Sequence, residues 1–167
     1  MSEGALREYL QIAEGTFLWR SIPYYANNTL KSLVKRPKGH IRDSGLLHHL
    51  MNISTMDALL SSPYAGNSFE GFVIEELIQG LEAANIGYFD TFYQRTHNGS
   101  EIDLILEGNF GTIPIEIKMA SSIQAKHLTH LHKFIDAKNL PMGIIINQGS
   151  EMCWVSKTVL QVPVGCI

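Results

Sequence analysis

Two neighbouring segments, residues 101–107 and 112–118, alternate between apolar and polar side chains, and this pattern constrains the fold most strongly. The apolar face of the pair consists of branched aliphatic residues, namely Ile102, Leu104, Leu106, Ile113, Ile115 and Ile117. Because successive side chains of a strand point to opposite faces, both segments are predicted to be strands with one face on a core. A turn signal at Gly108-Asn109 lies between them and predicts that they are neighbours in one sheet.

Helical periodicity surrounds this pair of strands. Apolar residues recur at a spacing of 3.6 over residues 68–84, which predicts a helix packed on a core, with Ser68 as its N-cap. The same spacing returns between Ile123 and Ile135. Further strands are expected at residues 88–95 and 144–147, with short edge strands at residues 153–155 and 159–164. The predicted order is helix, a meander of three strands, helix and strand, which is an α/β arrangement.

The N-terminal third is less regular. A short helix is expected to end at Gly15, followed by a hairpin with strands within residues 16–25 and 30–34. Pro37 and Gly39 interrupt the next stretch, and a second short helix is expected near residues 44–53. Length and pattern together predict a segment at residues 1–60 and a principal domain at residues 61–167.

Composition and charge narrow the classes of protein. The apolar fraction of 45% is ordinary for a globular chain, and no apolar run is long enough to cross a bilayer. The N-terminus does not resemble a signal peptide, so a cytoplasmic location is expected. The net charge is -3, yet five of the thirteen basic residues fall within twelve positions. These five are Lys31, Lys35, Arg36, Lys38 and Arg42.

Four polar side chains are candidates for a functional site. A helical wheel places Glu70 inside the apolar arc of residues 68–84, where a buried carboxylate needs a cation or a donor. Glu75 is placed on the opposite, solvent side of that helix. Glu116 and Lys118 share one face of their strand, so they are expected to point together and to converge with Asp103.

Carboxylates in this pattern suit a hard divalent cation, Mg²⁺ or Mn²⁺. Glu70, Asp103 and Glu116 are the predicted ligands, and such an ion activates water and polarises a phosphate. Lys118 is predicted to orient that water or to stabilise charge on phosphorus. The alternative is a surface ion pair between Glu116 and Lys118 worth under about 1 kcal/mol.

Two further groups of residues have competing interpretations. His127, His130 and His132 could be metal ligands, but no thiol or glutamate accompanies them, and a partly exposed helix face is favoured over a zinc site. The basic stretch from Lys31 to Arg42 suits contacts with DNA phosphates, and the alternative is a solvated loop.

The pattern of Asp103, Glu116-Ile117-Lys118 and the upstream Glu70 resembles the signature of PD-(D/E)xK nucleases. That resemblance implies a restriction-endonuclease-like αβββαβ core with a mixed central sheet, and hydrolysis of DNA phosphodiester bonds. It also implies catalytic roles for Asp103, Glu116 and Lys118.

The chain further resembles the C-terminal region of prokaryotic AAA+ ATPases that carries the DUF4143 domain. The segments that carry this resemblance are Lys35-Arg36-Pro37-Lys38, Asp43-Ser44-Gly45-Leu46, Phe69-Glu70-x-Phe72-Val73, Gly99-Ser100-Glu101-Ile102-Asp103 and Pro114-Ile115-Glu116-Ile117-Lys118. The resemblance implies a partial winged-helix-like segment before the nuclease-like core, with its wing at residues 17–34.

The sequence contains no phosphate-binding loop of the Gly-x-x-x-x-Gly-Lys-Ser/Thr type, so no ATP binding is expected of this chain. DNA is the expected partner and no membrane contact is expected, while self-association into a homo-oligomer stays open. The alternative function is a non-catalytic module, derived from an ATPase tail, that binds DNA or another protein.

Overall fold

The computed structural model describes residues 2–26, 36–95 and 101–167. The N-terminal elements are α1 (Glu3–Gly15), β1 (Trp19–Ile22), β2 (Lys38–Ile41), α2 (Ser44–Leu50) and α3 (Met56–Leu60). The elements that follow are α4 (Ala65–Ala83), β3 (Phe89–Arg95), β4 (Glu101–Gly108), β5 (Gly111–Lys118), α5 (Ala125–Lys138), β6 (Gly143–Asn147), β7 (Cys153–Trp154) and β8 (Val159–Pro163). A short 3₁₀ turn, Val164–Cys166, follows β8.

A six-stranded sheet forms the centre of the molecule, in the order β3-β4-β5-β6-β8-β7. The strands β3, β4 and β5 form the predicted antiparallel meander. After the crossover through α5, β6 pairs parallel with β5 and with β8, so the sheet is mixed. The mixed α/β class is therefore confirmed. Among the residues that the structure describes, no helix is both long and apolar enough to cross a bilayer.

Each face of this sheet is covered by one long helix. On one face, the apolar arc of α4, with Val73, Ile74 and Ile78, packs against residues of β4, β5 and β6. On the other face, Leu131 and Phe134 of α5 pack with residues of β4, β6 and β8. Burying such side chains on both faces supplies the main favourable free energy of folding, about 1.5–3 kcal/mol for each large aliphatic residue.

The N-terminal elements lie beside α4. β1 and β2 pair antiparallel, from Trp19 opposite Ile41 to Ile22 opposite Lys38. Gly39 was expected to interrupt the chain, but it lies within β2, where a Cβ would overlap the indole of Trp19. The strand predicted at residues 30–34 lies outside the described residues.

Two predictions are wrong, one about where α4 begins and one about the position of β8 in the sheet. Ser68 is inside α4 rather than at its N-cap, and its buried hydroxyl lies 2.6 Å from His48 Nε2, because the helix begins three residues earlier. The segment β8 is not an edge strand, since it lies between β6 and β7 with Val159 buried. Sheet order depends on which distant strands pair, and local periodicity does not encode it.

The alternation predicted for residues 101–107 breaks within β4. Phe92 pairs with Ile105 and Gln94 pairs with Ile102, so two steps along β3 correspond to three along β4. The extra residue is a β-bulge, which turns the side chains on one side of it. Ile102 consequently packs with Ile105 beneath α5 instead of with Leu104 beneath α4.

Candidate active site

Asp103 lies within this bulge, where the pairing of β4 with β5 comes to its end. The regular ladder runs as far as Leu104 opposite Ile115. Beyond that point the backbone N–H of Ile117 donates to Asp103 Oδ2 at 2.8 Å. The carboxylate thus replaces a main-chain acceptor. One of its oxygens is thereby fixed to β5.

Glu116 and Lys118 meet Asp103 from β5. Lys118 Nζ lies 2.6 Å from Glu116 Oε1 and 3.7 Å from Asp103 Oδ2. Asp103 and Glu116 are both buried. Glu116 Oε2 is buried without a hydrogen-bond partner in the part of the chain that the structure describes. An unpaired buried carboxylate oxygen is costly, and it has free lone pairs for a cation.

Lys38 joins the remaining carboxylates to this group from β2. Its Nζ lies 2.5 Å from Glu70 Oε1, 2.6 Å from Glu101 Oε1 and 3.5 Å from Asp103 Oδ1. The four predicted residues, Glu70, Asp103, Glu116 and Lys118, are therefore brought together, with Lys38 and Glu101 added. We call these six residues the carboxylate–lysine cluster.

The charge state of this cluster is perturbed by burial. Burial raises the pKa of Glu70 to about 7, and the charge of Asp103 adds to the rise while Lys38 opposes it. Burial also raises the pKa of Glu116 to about 8, with Asp103 again adding and Lys118 opposing. For Lys38, burial disfavours the ammonium form, but Asp103 and Glu70 outweigh it and raise its pKa. Burial is thus the main cause of both raised carboxyl pKa values, and repulsion from Asp103 adds to it.

Another carboxylate of α4, that of Glu75, is buried and lies five residues after Glu70. Arg20 Nε lies 2.5 Å from Glu75 Oε1, His40 Nε2 lies 3.0 Å from the same oxygen, and Arg42 Nε lies 2.9 Å from Oε2. Burial would raise the pKa of Glu75, but the hydrogen bonds from His40, Arg20 and Arg42 hold it well below 4.5. We call these four residues the Glu75 cluster.

The prediction that Glu75 faces solvent is therefore wrong. The part of α4 around Glu75 is covered by side chains from β1 and β2 and from Arg42, so a helical wheel that assumes one buried face misplaces Glu75. Lys38 and His40 of β2, together with Arg42 just after it, recur at every second residue and contact carboxylates of α4. This spacing of two is the sequence signal that could have identified a basic strand face opposite the helix.

The basic residues expected to contact DNA have different surroundings. Lys31 and Lys35 lie outside the described residues, and Arg36 is exposed. Lys38 and Arg42 face Glu70 and Glu75 as described above. DNA contact by this stretch stays a prediction, and in this conformation the side chains of Lys38 and Arg42 already contact carboxylates.

Two of the three histidines of α5 have local partners, and the third, His130, lines the same pocket as Glu101. His127 Nδ1 accepts from the backbone N–H of Gln124 at 3.2 Å, as part of the helix N-terminal cap. His132 Nε2 lies 2.8 Å from the hydroxyl of Ser156. These contacts give both imidazoles structural roles, and neither requires a metal ion.

The donors fit a hard cation, although the cations they contact are lysines. Within residues 2–26, 36–95 and 101–167, no three Asp, Glu, His or Cys side chains form a preassembled metal-binding group. The ammonium groups of Lys38 and Lys118 lie between the carboxylates. Glu116 Oε2 has no hydrogen-bond partner among the described residues, and repulsion from Asp103 adds to the burial that raises the pKa of Glu70 and of Glu116. Carboxylate oxygens of this kind are ligands that Mg²⁺ prefers.

Comparison with known proteins gives relatives of undefined activity. Residues 65–167 match the family described as "Domain of unknown function (DUF4143)", and residues 1–57 match "Domain of unknown function (DUF8612)". Uncharacterized proteins of Mycobacterium bovis and Mycobacterium tuberculosis are each 30% identical over 163 residues, covering 98% of this chain and 35% of the relative. The chain thus spans about a third of the length of these curated relatives. No solved structure matches it significantly.

Proposed function

We propose that this chain, which belongs to the DUF4143 family, is a divalent-metal-dependent nuclease-like domain that hydrolyses DNA phosphodiester bonds. The proposal includes a restriction-endonuclease-like core preceded by a partial winged-helix-like segment. One observation carries it. Side chains from α4, β4 and β5 converge on one acidic cluster that contains a lysine and a buried carboxylate oxygen without a partner.

Glu70, Asp103 and Glu116 would hold Mg²⁺ or Mn²⁺. A bound ion of this kind supplies Lewis-acid polarisation of a phosphate and a water of lowered pKa. Asp103 is fixed for this role, because the backbone N–H of Ile117 holds one of its oxygens. Glu116 has one oxygen on Lys118 and one free.

Lys118 is suited to act on the reacting phosphate. Its side chain is about one third exposed, so its ammonium group lies at the boundary between the buried carboxylates and solvent. The charge of Asp103 and Glu116 outweighs the effect of burial and raises its pKa, which keeps Lys118 protonated. A fixed positive charge there would stabilise the negative charge that grows on phosphorus.

Cleavage assays with matched variants test this function. Purified protein is incubated with single-stranded, duplex and branched DNA in the presence of Mg²⁺, Mn²⁺ or EDTA. Cleavage is expected with either metal and is expected to be lost in EDTA, in Asp103→Asn and in Lys118→Met. Lys157→Met removes an exposed charge near β7 and β8 and should cleave like the parent. Cleavage that survives in Asp103→Asn, or no cleavage under any condition, would refute the proposal.

A second candidate function is a non-catalytic module that binds DNA or another protein. The observation that favours protein binding is the apolar face of α1, where Leu6, Tyr9 and Ile12 are exposed at helical spacing. A contiguous exposed apolar face is typical of a protein contact. Titration of labelled DNA at several salt concentrations separates the cases, since binding without cleavage would favour this second function.

A further inference from the structure

We propose that Lys38 is a tethered cation that occupies the acidic cluster in place of a divalent ion, and that metal binding requires its displacement. This inference deepens the proposed function and rests on it. It assigns to the N-terminal strand β2 a direct effect on metal affinity, although the predicted ligands all belong to residues 65–167.

The position of the Lys38 ammonium group supports this role. Its Nζ lies within 2.6 Å of oxygens from Glu70 and Glu101 and 3.5 Å from Asp103. Three carboxylates from α4 and β4 thus surround one cation. Two of them, Glu70 and Asp103, are predicted metal ligands. A lysine ammonium is a compact point charge with three donors, so it satisfies oxygen donors that a metal ion would otherwise bind.

The backbone of Lys38 is held in place by its neighbours on β2. His40 of β2 and Arg42, the residue that follows the strand, both contact Glu75. A substituent at Gly71 of α4 would touch the ring of His40, which shows how closely β2 approaches the helix. The strand is therefore anchored independently of the acidic cluster. The Lys38 side chain, with four methylene groups, can leave the carboxylates without moving β2.

Charge favours the exchange of Lys38 for a divalent ion. Four carboxylates, those of Glu70, Glu101, Asp103 and Glu116, face the ammonium groups of Lys38 and Lys118. The additional contact, Arg95 to Glu101, spans 3.8 Å and involves a mostly exposed side chain. A divalent ion supplies two positive charges where Lys38 supplies one, so it attracts these carboxylate oxygens more strongly.

Glu101 acquires a role through this exchange. Its Oε1 is 2.6 Å from Lys38 Nζ, and Glu101 was not among the predicted metal ligands. Once Lys38 leaves, Glu101 and Glu70 both have an unpaired oxygen directed at the vacated position. Glu101 is then available as an additional carboxylate for the cation.

Titration calorimetry with Mn²⁺ tests the exchange without using catalysis. The parent protein is compared with Lys38→Met, Lys38→Arg and the matched control Lys157→Met, all after removal of metal with EDTA. Lys38→Met is expected to bind Mn²⁺ at least about tenfold more tightly, because a competing charge is gone. Lys157→Met should bind like the parent, and Lys38→Arg, which keeps a positive charge at this position, should gain less affinity than Lys38→Met. Adding Glu101→Gln to Lys38→Met should reverse part of the gain.

The parent protein supplies a second measurement if Lys38→Met fails to fold. With lysine side chains labelled with ¹⁵N, the Lys38 ammonium group should give a protected NMR signal in EDTA. Mg²⁺ is expected to abolish that protection while the signal of Lys157 stays unchanged.

The outcomes distinguish this inference from the proposed function. Tighter binding in Lys38→Met, or loss of the Lys38 signal with Mg²⁺, supports the exchange. Equal binding in parent and Lys38→Met, with an unchanged Lys38 signal, overturns it and leaves the metal site intact. Absence of Mn²⁺ binding in every variant overturns the metal site itself and the exchange with it.

Discussion

Two of the carboxylates of helix α4, Glu70 and Glu75, lie five residues apart in different electrostatic surroundings. Glu75 has Arg20, His40 and Arg42 around it, and its pKa is held well below the ordinary value. Glu70 shares Lys38 with two other carboxylates, and its pKa is raised to about 7. Both side chains contact the same basic face of β2. They differ in the ratio of acidic to basic partners.

This ratio separates a structural cluster from a candidate functional one. A buried carboxylate with surplus cations is paired in the folded state, and removing it leaves uncompensated charge. A group of carboxylates with too few cations is destabilised in the absence of a ligand, and such perturbed groups are concentrated at functional sites. The predictions below change one side of this comparison at a time.

The largest effect is expected from Glu75→Gln. The substitution leaves Arg20 and Arg42 near α4 without their carboxylate, which should lower the free energy of unfolding by about 3 kcal/mol. Urea denaturation measures the loss. Glu76→Gln is the matched control, because Glu76 is the next residue along α4 and is exposed. It should change stability by less than about 0.5 kcal/mol. Equal effects of the two variants would show that the Glu75 cluster is not structural.

The same change at Glu116 should have the opposite sign. Its Oε2 is buried without a partner and burial raises its pKa, so Glu116→Gln should be neutral or should stabilise by up to about 1 kcal/mol. Mn²⁺ binding and any cleavage should be lost in this variant. Destabilisation as large as that of Glu75→Gln would mean that the carboxylate–lysine cluster is itself a structural ion-pair network.

The two clusters should also respond oppositely to pH in EDTA. The folded-state pKa of Glu75 is lowered, so its contribution is present above pH 4.5 and is lost on further acidification. The folded-state pKa of Glu116 is raised from 4.5 to about 8, so stability should fall as pH rises between those values. The gain in Glu116→Gln, on the order of 1 kcal/mol, should therefore appear near pH 8 and vanish near pH 4.

The smallest effect is expected at the exposed edge of the carboxylate–lysine cluster. Arg95 lies 3.8 Å from Glu101 with its side chain 65% exposed, so Arg95→Ala should change stability by under about 0.5 kcal/mol. Thermal unfolding at two salt concentrations measures it. A larger, salt-sensitive loss would show that Arg95 stabilises the carboxylate–lysine cluster more than its 3.8 Å distance from Glu101 indicates.

Much of the fold could be predicted because its elements have strong local patterns. The alternation at residues 112–118 predicts a strand, and the apolar arc of α4 predicts a helix. The structure contains both elements. The bulge near Asp103 and the interior position of β8 could not be predicted in this way. They depend on the register of β3 with β4 and on which distant strands pair, which a local pattern does not contain.

The candidate site shows the same division. The inward position of Glu70 and the shared face of Glu116 and Lys118 follow from helix and strand periodicity, and the structure brings these side chains together. Lys38 was assigned to DNA contact and Glu75 to solvent, since sequence analysis did not show that β2 packs on α4. The catalytic and metal-binding roles of Glu70, Asp103, Glu116 and Lys118 stay predictions.

The carboxylate–lysine cluster has more carboxylates than cations, whereas the Glu75 cluster has one carboxylate among several basic side chains. Only the carboxylate–lysine cluster is therefore expected to bind a divalent ion. Anomalous diffraction from crystals soaked in Mn²⁺ tests it most directly. One anomalous peak is expected within reach of Asp103 and Glu116, with the Lys38 side chain displaced, and no peak is expected at Glu75. A carboxylate–lysine cluster that still contains the Lys38 ammonium group and shows no peak at saturating Mn²⁺ would contradict the account.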